Sequence, residues 1–446
     1  MDYKALLKPY EEEMMKTLFE FVSINSIYDE KTISERKPFG EGVYNALEYV
    51  ANLALKYGFK VDRCNGYCTE ITIGEGKRTI GIYAHADVVP VSGKWVRPAF
   101  EPYIKDGNIY GRGSSDDKGP LIAAFFSCVA LRDNNLLKDY KIIFVVGGDE
   151  ERGSSCLDYY FEKLHKPYVD FGFTPDSDFP LIYGEKGIVD FYPTLVVNAP
   201  EIISIKGGVA TNAVCDRVEV EVTNIEELVK YLRDNNVNFI EEEDKIVFIG
   251  KSVHGSTPAL GVNAALIALK ELGEFYNIKE FRLLADKLSD TSGESFEGFA
   301  STKLLGETTY CLGLISFEKS ILKFTINFRH PNDVNPEEFK KHFDEYFGTT
   351  STMKEPSPYL LYEPESKLVS TLYKAYQEES GDYKTPMLTT GGGTYAKHAK
   401  NTIAFGALFP GRVSTMHEPN ELMPVEDFYL SAVIYARAIF DLGNLK

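Results

Sequence analysis

Two adjacent carboxylates, Asp116 and Asp117, lie within the stretch GRGSSDDKGP (111–120). A glycine-rich turn precedes them, and a Gly-Pro pair that suits the start of a helix follows. Because neighbouring like charges repel each other, a bound cation is a physical reason for placing two carboxylates together. A solvated turn or a helix cap is the alternative interpretation of such a pair.

Four further stretches contain residues that can ligate a metal ion: HAD (85–87), GGDEE (147–151), TPDSD (174–178) and MHEPNE (416–421). His85 and Asp87 are two residues apart at the end of a predicted strand, so their side chains project to the same face. This spacing suits a histidine ligand whose second ring nitrogen is held by a carboxylate. An isolated pair of this kind is more often a core histidine, but the accompanying acidic motifs favour a metal site.

Glu150 and Glu151 end a strongly apolar predicted strand. Solvated surface charge is unusual at such a position, whereas a ligand-binding edge of a sheet is expected there. Two neighbouring side chains cannot easily perform the same function, so we expect different roles for them. In TPDSD, Asp176 and Asp178 are both candidate ligands on spacing alone.

The elements that position these motifs follow an α/β pattern. Predicted strands at 79–84, 141–147 and 170–174 alternate with helical segments, including 120–132 with Pro120 near its first turn. Each motif in this half follows a strand or its turn, at the edge where open parallel sheets bind ligands. We therefore predict a mostly parallel sheet covered by helices.

A change in sequence texture near residue 188 predicts an inserted domain. Strand-like pairs and charged helices alternate up to about residue 384, after which an apolar strand pattern returns. We predict a catalytic domain formed by residues 1–187 and 385–446. An α+β lid domain of two β/α subdomains would occupy residues 188–384.

Composition excludes several classes of function. The 446 residues are 44% hydrophobic and 26% charged, and the net charge of -18 argues against a nucleic-acid partner, which needs basic patches. The acidic start is unlike a signal peptide, and no uncharged apolar run approaches the roughly 18 residues of a membrane span. Six scattered cysteines suit a reducing compartment, and Cys64 and Cys68 lack the partners of a zinc site. We expect a cytoplasmic protein with no membrane partner.

Together, the motifs resemble those of the two-metal aminopeptidase-like family that includes carnosinases, acyl-amino-acid deacylases and bacterial PepV-type dipeptidases. The resemblance spans nearly the whole chain. It implies five metal ligands, with Asp116 bridging both ions: His85, Asp116, Glu151, Asp176 and His417. It further implies that Glu150 is the general base, with Asp87 supporting the histidine ligand and Asp117 a neighbour in the turn.

The implied cofactors are two divalent metal ions, Zn²⁺ or Mn²⁺. The mixed nitrogen and oxygen ligands suit Zn²⁺, Mn²⁺ or Co²⁺, and open coordination positions mark a catalytic rather than a structural site. Two ions roughly 3.5–4 Å apart can lower the pKa of a bridging water. Glu150 would take the proton of this water and pass it to the leaving amine. The implied reaction is peptide or amide hydrolysis without a covalent acyl-enzyme.

The inserted segment supplies substrate contacts by the same resemblance. His254 would support the oxyanion, while Asn212 and Arg329 would hold the substrate carboxylate. Arginine suits a two-pronged grip on a carboxylate. The backbone of TTGGGTYA (389–396) would form a wall around it through Gly391, Gly392 and Gly393. Taken singly, Arg329 could belong to a surface ion pair, His254 could be a turn residue before a helix, and the three glycines could form a flexible loop. His330 and Trp95 are left undecided, and the histidines that match no motif are His165, His342 and His398.

These expectations favour a metal-dependent dipeptidase that hydrolyses dipeptides or short peptides with free termini. The long insertion and the HGSTPALGVNA and GGGTY stretches favour it over an N-acyl amino-acid deacylase or desuccinylase, which would use the same metal chemistry. An inactive binding protein is a further alternative, against which the complete ligand set and Glu150 both argue. A lid of this length would complete the active site within one chain. We therefore expect a monomer in which His254 acts in cis.

Overall fold

The computed structural model describes residues 1–445, which fold into two compact units. Unit 1 consists of Met1–Tyr183, Tyr362–Leu388 and the residues from Thr394 onward, and unit 2 consists of Gly184–Leu361 and Thr389–Gly393. Unit 1 is therefore discontinuous in sequence. None of the helices within residues 1–445 combines the length and the apolar character needed to cross a membrane.

A mixed sheet forms the centre of unit 1. Six of its strands in chain order are β1 (Lys60–Asp62), β2 (Cys68–Gly74), β3 (Arg78–His85), β4 (Tyr140–Gly147), β5 (Phe171–Thr174) and β6 (Thr402–Ala404). They lie in the order β1-β2-β4-β3-β5-β6; the last four are parallel, and β1 and β2 add antiparallel pairs. Most of β3 is buried, as expected of a strand covered on both faces. The predicted α/β fold is confirmed, with four parallel strands inside a mixed sheet.

Helices complete the hydrophobic core of unit 1. They are Tyr3–Leu7, Glu11–Val22, Glu41–Lys56, Lys118–Asp133, Ser155–Asp158, Lys367–Ser380 and Val425–Gly443. The helix Lys118–Asp133 is buried along nearly its whole length. Its first turn directly follows Asp116 and Asp117, so the acidic pair is fixed in the interior rather than on a solvated turn.

The helix Lys367–Ser380 differs from the predicted domain boundary. The sequence placed it in the inserted domain at 188–384, but its Leu368, Val369 and Leu372 pack into the core of unit 1. Charged residues on its other face gave it the same texture as the helices of unit 2. Burial of the apolar face determines where the helix packs, and composition does not reveal which core receives that face.

Two small sheets tie the loops of unit 1 together. Tyr103–Lys105, Asn108–Tyr110 and Leu422–Pro424 form a three-stranded antiparallel sheet. Ser177–Asp178 pairs in parallel with Ala407–Leu408. The first sheet joins the chain just before the acidic pair to the chain just after MHEPNE, so two motif loops that are distant in sequence share one support.

Unit 2 is built around one eight-stranded antiparallel sheet with its own hydrophobic core, and Ser301–Thr302 pairs with Gly306–Glu307 in a separate two-stranded sheet. The strands of the larger sheet lie in the order Phe239–Glu242, Lys245–Ile249, Arg217–Val222, Ile202–Gly207, Thr309–Glu318, Ile321–His330, Gly187–Val196 and Thr350–Met353. The longer helices are Ile225–Asp234, Ala264–Phe275, Lys279–Leu288 and Pro336–Phe347. We expected two β/α subdomains here. The two halves instead share one sheet, because Ile202–Gly207 pairs with Thr309–Glu318.

Candidate metal centre and substrate-binding cluster

The metal motifs of unit 1 converge at the carboxyl edge of its parallel strands. Strand β3 ends at His85, Glu150 and Glu151 follow β4, and Asp176 follows β5. The carboxyl ends of parallel strands meet at one edge of a sheet, which brings these side chains together. Asp116 approaches from the loop before a buried helix, whose N-terminal end favours negative charge.

Asp116 is shared by two groups of candidate metal ligands. One group is His85, Asp116 and Asp176, the other is Asp116, Glu151 and His417, and the ligand atoms of each lie within 4.8 Å of one another. Oδ1 of Asp116 is 2.9 Å from Nε2 of His85, and Oδ2 is 2.9 Å from Nε2 of His417. Because each oxygen faces a different histidine, this carboxylate has the geometry to serve two ions.

One further carboxylate completes each group. Nε2 of His85 lies 3.7 Å from Oδ2 of Asp176, and Nε2 of His417 lies 3.2 Å from Oε2 of Glu151. Asp178, which spacing left as an alternative to Asp176, belongs to neither group. The geometry therefore favours Asp176 as the ligand. We call these five residues together with Glu150 the acidic cluster.

Asp87 links the histidine to the turn that carries the two glutamates. Nδ1 of His85 donates a hydrogen bond to the backbone carbonyl of Asp87 over 3.0 Å. A carbonyl only accepts, so Nδ1 carries a hydrogen and Nε2 remains for a metal ion. The Asp87 carboxylate lies 3.4 Å from Nδ1 and accepts hydrogen bonds from the backbone N–H groups of Glu150 and Glu151, each over 3.2 Å. It therefore positions both the histidine and the glutamate turn.

The electrostatics of the acidic cluster fit a divalent cation. Burial and then the charge of Asp116 raise the pKa of Asp176 to about 7. Burial and the charge of Asp176 hold the pKa of Glu150 well above its usual range, and burial and Asp116 raise that of Glu151. Burial lowers the pKa of His417, but its hydrogen bonds to Asp116 and Glu151 outweigh this and raise it to about 11. Bound cations reverse this mutual destabilisation of the carboxylates, and the nitrogen and oxygen donors suit Zn²⁺ or Mn²⁺.

Glu421 supports the acidic cluster, although the sequence pattern did not identify it. Its fully buried carboxylate accepts hydrogen bonds from Nη1 of Arg112 at 2.7 Å and from backbone N–H groups within 113–116 at 2.9–3.1 Å. Nη2 of Arg112 in turn donates to the backbone carbonyl of His417 over 3.2 Å. Glu421 therefore holds the loop of Asp116 directly and the loop of His417 through Arg112. The available signal was its position at the end of the MHEPNE stretch.

Lys118 anchors the helix that follows the acidic pair. Its buried Nζ donates hydrogen bonds to the backbone carbonyls of Phe21 and Ile24 over 3.2 and 2.7 Å. Burial lowers the pKa of Lys118 to about 7, although the charges of Glu421 and Asp87 act in the opposite direction. The helix start behind the acidic cluster is thus fastened to the amino-terminal part of unit 1.

A second cluster forms within unit 2 from His254, Arg329 and Gly391, and we call it the basic cluster. Arg329 is 2% exposed on the strand Ile321–His330. Its Nη1 donates to the carbonyl of Gly391 over 2.6 Å, and its Nη2 lies 3.4 Å from Nε2 of His254. Burial lowers the pKa of Arg329 to about 10, which leaves the guanidinium charged at neutral pH. Arg329 is therefore not the surface ion pair that its sequence position also allowed.

The other predicted substrate residues, Asn212, Gly392 and Gly393, differ in how they connect to the basic cluster. The backbone carbonyl of Asn212 accepts a hydrogen bond from the N–H of Gly255, next to His254, while its side chain is exposed. The N–H of Gly392 donates to Oγ1 of Thr390 over 3.0 Å, which forms a turn beside Gly391. Gly393 is exposed. The structure thus brings His254, Arg329 and Gly391 together most closely.

Trp95 lies beside the buried Arg112. The guanidinium of Arg112 is 5.3 Å from the centre of the Trp95 ring, within the range of a cation–π contact. No group of candidate metal ligands within residues 1–445 includes Cys64 or Cys68, and all six cysteines are buried free thiols. The histidines outside those ligand groups and the basic cluster are His165, His330, His342 and His398.

A comparison against protein families matches most of the chain. The pattern of the family described as Peptidase family M20/M25/M40 matches residues 81–441. The chain belongs to this family. The matched region contains every residue of the acidic cluster and of the basic cluster. Membership supports a metal-dependent hydrolase of the peptidase type.

Relatives of the M20-family chain match along their whole length. It is 32% identical over 472 residues to "Putative dipeptidase YtjP" of Bacillus subtilis (strain 168), with 100% of both chains covered. It is also 32% identical over 475 residues to a "Putative dipeptidase" of Staphylococcus epidermidis (strain ATCC 12228 / FDA PCI 1200), with 99% of each covered. The alignments therefore include both units.

Solved structures share the fold at low identity. Human carnosine dipeptidase 1 matches with a TM-score of 0.61 and 15% identity, covering 99% of this chain and 98% of the other. The di-peptidase Dug1p from Saccharomyces cerevisiae gives a TM-score of 0.61 and 16% identity, covering 100% and 98%. The Bacillus subtilis YXEP protein is described as a dinuclear metal binding peptidase from the M20 family. It matches with a TM-score of 0.55 and 10% identity, covering 98% of this chain and 99% of the other. At these identities the likeness establishes the fold alone.

Proposed function

We propose that this M20-family chain is a dipeptidase that hydrolyses dipeptides or short peptides with free termini, using two divalent metal ions. The observation that carries the proposal is Asp116, whose two carboxylate oxygens each lie 2.9 Å from a different histidine. The relatives named as dipeptidases support the choice of substrate. The six buried free thiols are compatible with the reducing cytoplasm that we propose as its location.

The acidic cluster would hold both ions. His85, Asp116 and Asp176 would bind one, and Asp116, Glu151 and His417 would bind the other. When bound, Zn²⁺ or Mn²⁺ would lower the pKa of the attacking water and polarise the scissile carbonyl. The protein's own contribution is to fix the donors, which Asp87 and Glu421 do through the backbone of the ligand loops.

Glu150 would move the proton during hydrolysis. It belongs to neither group of candidate metal ligands, and its backbone N–H donates to the Asp87 carboxylate over 3.2 Å. A carboxylate beside the ligands that is not itself a ligand would accept a proton from water and return that proton to the leaving amine. Glu151, whose carboxylate faces His417, would be a ligand instead. The two neighbours would thus have the different roles that their adjacency predicts.

Arg329 would bind the carboxylate at the C-terminus of the substrate. The hydrogen bonds of its guanidinium run to uncharged groups, the carbonyl of Gly391 and Oδ1 of Asn327, and among the described residues it forms no ion pair with a carboxylate. A buried cation is costly unless an anion accompanies it. A substrate carboxylate would supply that anion.

Three further groups would act with Arg329. His254, beside the guanidinium, would support the oxyanion that develops on the scissile carbonyl. Asn212 would contact the same carboxylate as Arg329, and the backbone of Gly391–Gly393 would surround it. These assignments follow the family resemblance, and the proximity of His254 and Gly391 to Arg329 supports the roles of those two residues.

Hydrolysis of a substrate panel tests this proposal against the deacylase alternative. An N-acyl amino acid presents the same carboxylate, so the panel should contain dipeptides beside N-acetyl and N-succinyl amino acids. Metal-stripped protein supplied with Mn²⁺ or Zn²⁺ should hydrolyse dipeptides faster. Faster turnover of the acylated compounds would replace the dipeptidase with a deacylase or desuccinylase, and turnover of neither class would favour an inactive binding protein.

A further inference from the structure

We propose that Asp190 is a positioning residue that orients Arg329 for substrate binding, acting through the side-chain amide of Asn327. This inference rests on the proposed function, in which Arg329 binds the C-terminal carboxylate of a peptide. Neither Asp190 nor Asn327 stood out as a functional residue in the sequence. All three residues lie in unit 2.

Two adjacent strands place these side chains in a row. Asp190 on Gly187–Val196 and Asn327 on Ile321–His330 are paired across the antiparallel ladder. Nδ2 of Asn327 donates to Oδ1 of Asp190 over 2.7 Å, and Oδ1 of Asn327 accepts from Nε of Arg329 over 2.8 Å. The carboxylate therefore contacts the amide, and the amide contacts the guanidinium.

The direction of these bonds depends on Asp190. A side-chain amide presents a donor at one end and an acceptor at the other, and the two ends can exchange by a flip. An ionised carboxylate only accepts, so Asp190 holds the NH₂ end of Asn327 and leaves its oxygen facing Arg329. In the flipped arrangement, a donor would face the guanidinium, which has only donors. Arg329 would then lose the acceptor of its Nε–H and would keep only the Gly391 carbonyl as an oxygen acceptor.

The second oxygen of Asp190 connects to the segment of Asn212. Oγ1 of Thr211 donates to Oδ2 of Asp190 over 3.0 Å. The next residue, Asn212, accepts through its backbone carbonyl from the N–H of Gly255 over 2.7 Å. The Asp190 carboxylate is thus hydrogen-bonded to the strand that carries Arg329 and to the segment that carries Asn212. These are the two residues proposed to hold the substrate carboxylate.

Close packing transmits this position to the loop of His254. A Cβ atom added to Gly255 would lie 2.9 Å from Oδ1 of Asn327 and 2.9 Å from the carbonyl of Asn212. The backbone beside His254 therefore rests against the same amide oxygen that holds Arg329. Displacement of Asn327 would affect both members of the basic cluster.

The experiment compares a dipeptide with the same dipeptide amidated at its C-terminus. The wild-type enzyme should prefer the free acid in kcat/KM by about 10²-fold or more, the scale of charge-assisted hydrogen bonds from one arginine. Asp190→Ala should lower this preference by about tenfold, equivalent to the loss of one such bond. The loss should arise from a higher KM for the acid, while kcat/KM for the amide stays unchanged. A purely structural defect would lower both values together.

A conservative variant and a matched control complete the experiment. Asp190→Asn should keep most of the preference, because its oxygen can still accept from Asn327 and its NH₂ can donate to Oγ1 of Thr211. Asp344→Ala is the matched control, since this unit 2 carboxylate accepts comparable hydrogen bonds from Thr349 and Ser351 without contact to the basic cluster. It should leave the acid-to-amide preference unchanged.

The outcomes separate this inference from the proposed function. A wild-type enzyme that hydrolyses no dipeptide, or does not prefer the acid, would overturn the proposed role of Arg329 itself. A wild-type preference that survives in Asp190→Ala, or an Asp190→Asn variant as defective as Asp190→Ala, would overturn the inference about Asp190 alone. If Asp190→Ala does not fold, Asn327→Leu removes the same link, and retention of the preference there would be equally decisive.

Discussion

The acidic cluster of unit 1 and the basic cluster of unit 2 differ in the sign of the charge that each leaves uncompensated. In unit 1, buried carboxylates raise one another's pKa, with that of Asp176 reaching about 7. In unit 2, the buried guanidinium of Arg329 makes hydrogen bonds to uncharged oxygens. The first arrangement calls for cations and the second for an anion. Under the proposed function, metal ions would compensate the first cluster and the substrate carboxylate would compensate Arg329.

The two clusters are also built differently. Most residues of the acidic cluster come from loops, apart from His85 at the end of a parallel strand, and the cluster needs long-range supports such as the Arg112–Glu421 pair. In the basic cluster, Arg329 lies within a strand, and its support, Asp190, comes from the neighbouring strand. Loop ligands can rearrange around an ion, whereas a strand residue has an orientation set by its ladder. We infer that metal binding and substrate recognition can be disturbed separately.

Metal removal should have the largest effect on the acidic side of this comparison. Chelation should abolish turnover, because the acidic cluster then lacks the metal ions that would activate the attacking water. Added Mn²⁺ or Zn²⁺ should restore turnover. Activity should reach its maximum only at two equivalents of metal per chain. Full activity at one equivalent, with the second site empty, would exclude the two-metal mechanism.

Substitution of the adjacent glutamates should separate proton transfer from metal binding. Glu150→Gln should keep both metal ions but lower kcat by on the order of 10²-fold or more, the scale of general acid–base catalysis. Glu151→Gln should weaken metal binding, since its carboxylate faces His417. Metal analysis and kcat together give the answer. The reverse pattern would show that the two roles are exchanged.

Removal of Glu421 should test the long-range support of the acidic cluster. Glu421→Ala leaves Arg112 buried without its carboxylate, so the free energy of unfolding of the metal-free protein should fall by about 3–5 kcal/mol. The matched control is Lys8→Ala, which removes a pair whose lysine side chain is 71% exposed and should cost no more than about 1 kcal/mol. Denaturant unfolding measures both. Equal losses in the two variants would mean that Glu421 is not a buried support.

Mixing two inactive variants should produce no recovery of activity. We propose that the protein works as a monomer whose two clusters act from the same chain. His254→Ala and Glu150→Gln would each lack one essential group, so no pairing of these chains could supply an intact set. Activity should therefore stay at the level of the separate variants after subunit exchange is allowed. Clear recovery would show that His254 is borrowed from a partner.

Local sequence patterns predicted the strand ends of the acidic cluster well. His85, Glu150 and Asp176 follow apolar strands, and the parallel arrangement brings such positions together without further information. The supports could not be found in this way. Glu421 and Arg112 are 309 positions apart in the chain, and neither residue type signals its partner.

The organisation of unit 2 was harder to predict for the same reason. The pairing of Ile202–Gly207 with Thr309–Glu318 turns two expected subdomains into one sheet, and this long-range register leaves no local signature. The row from Asp190 through Asn327 to Arg329 depends on that same kind of cross-strand register. Alternation along a strand identifies a buried face, but it does not identify the neighbour across the ladder.

Metal titration of the metal-free protein and its variants tests the shared role of Asp116 most directly. The wild-type chain should bind two divalent ions, and Glu151→Ala should retain one, because His85, Asp116 and Asp176 remain together. Asp116→Ala should lose high affinity at both sites, since each of its oxygens faces a different histidine. An Asp116→Ala protein that still binds one ion as tightly as Glu151→Ala does would contradict the shared carboxylate and with it the two-metal centre.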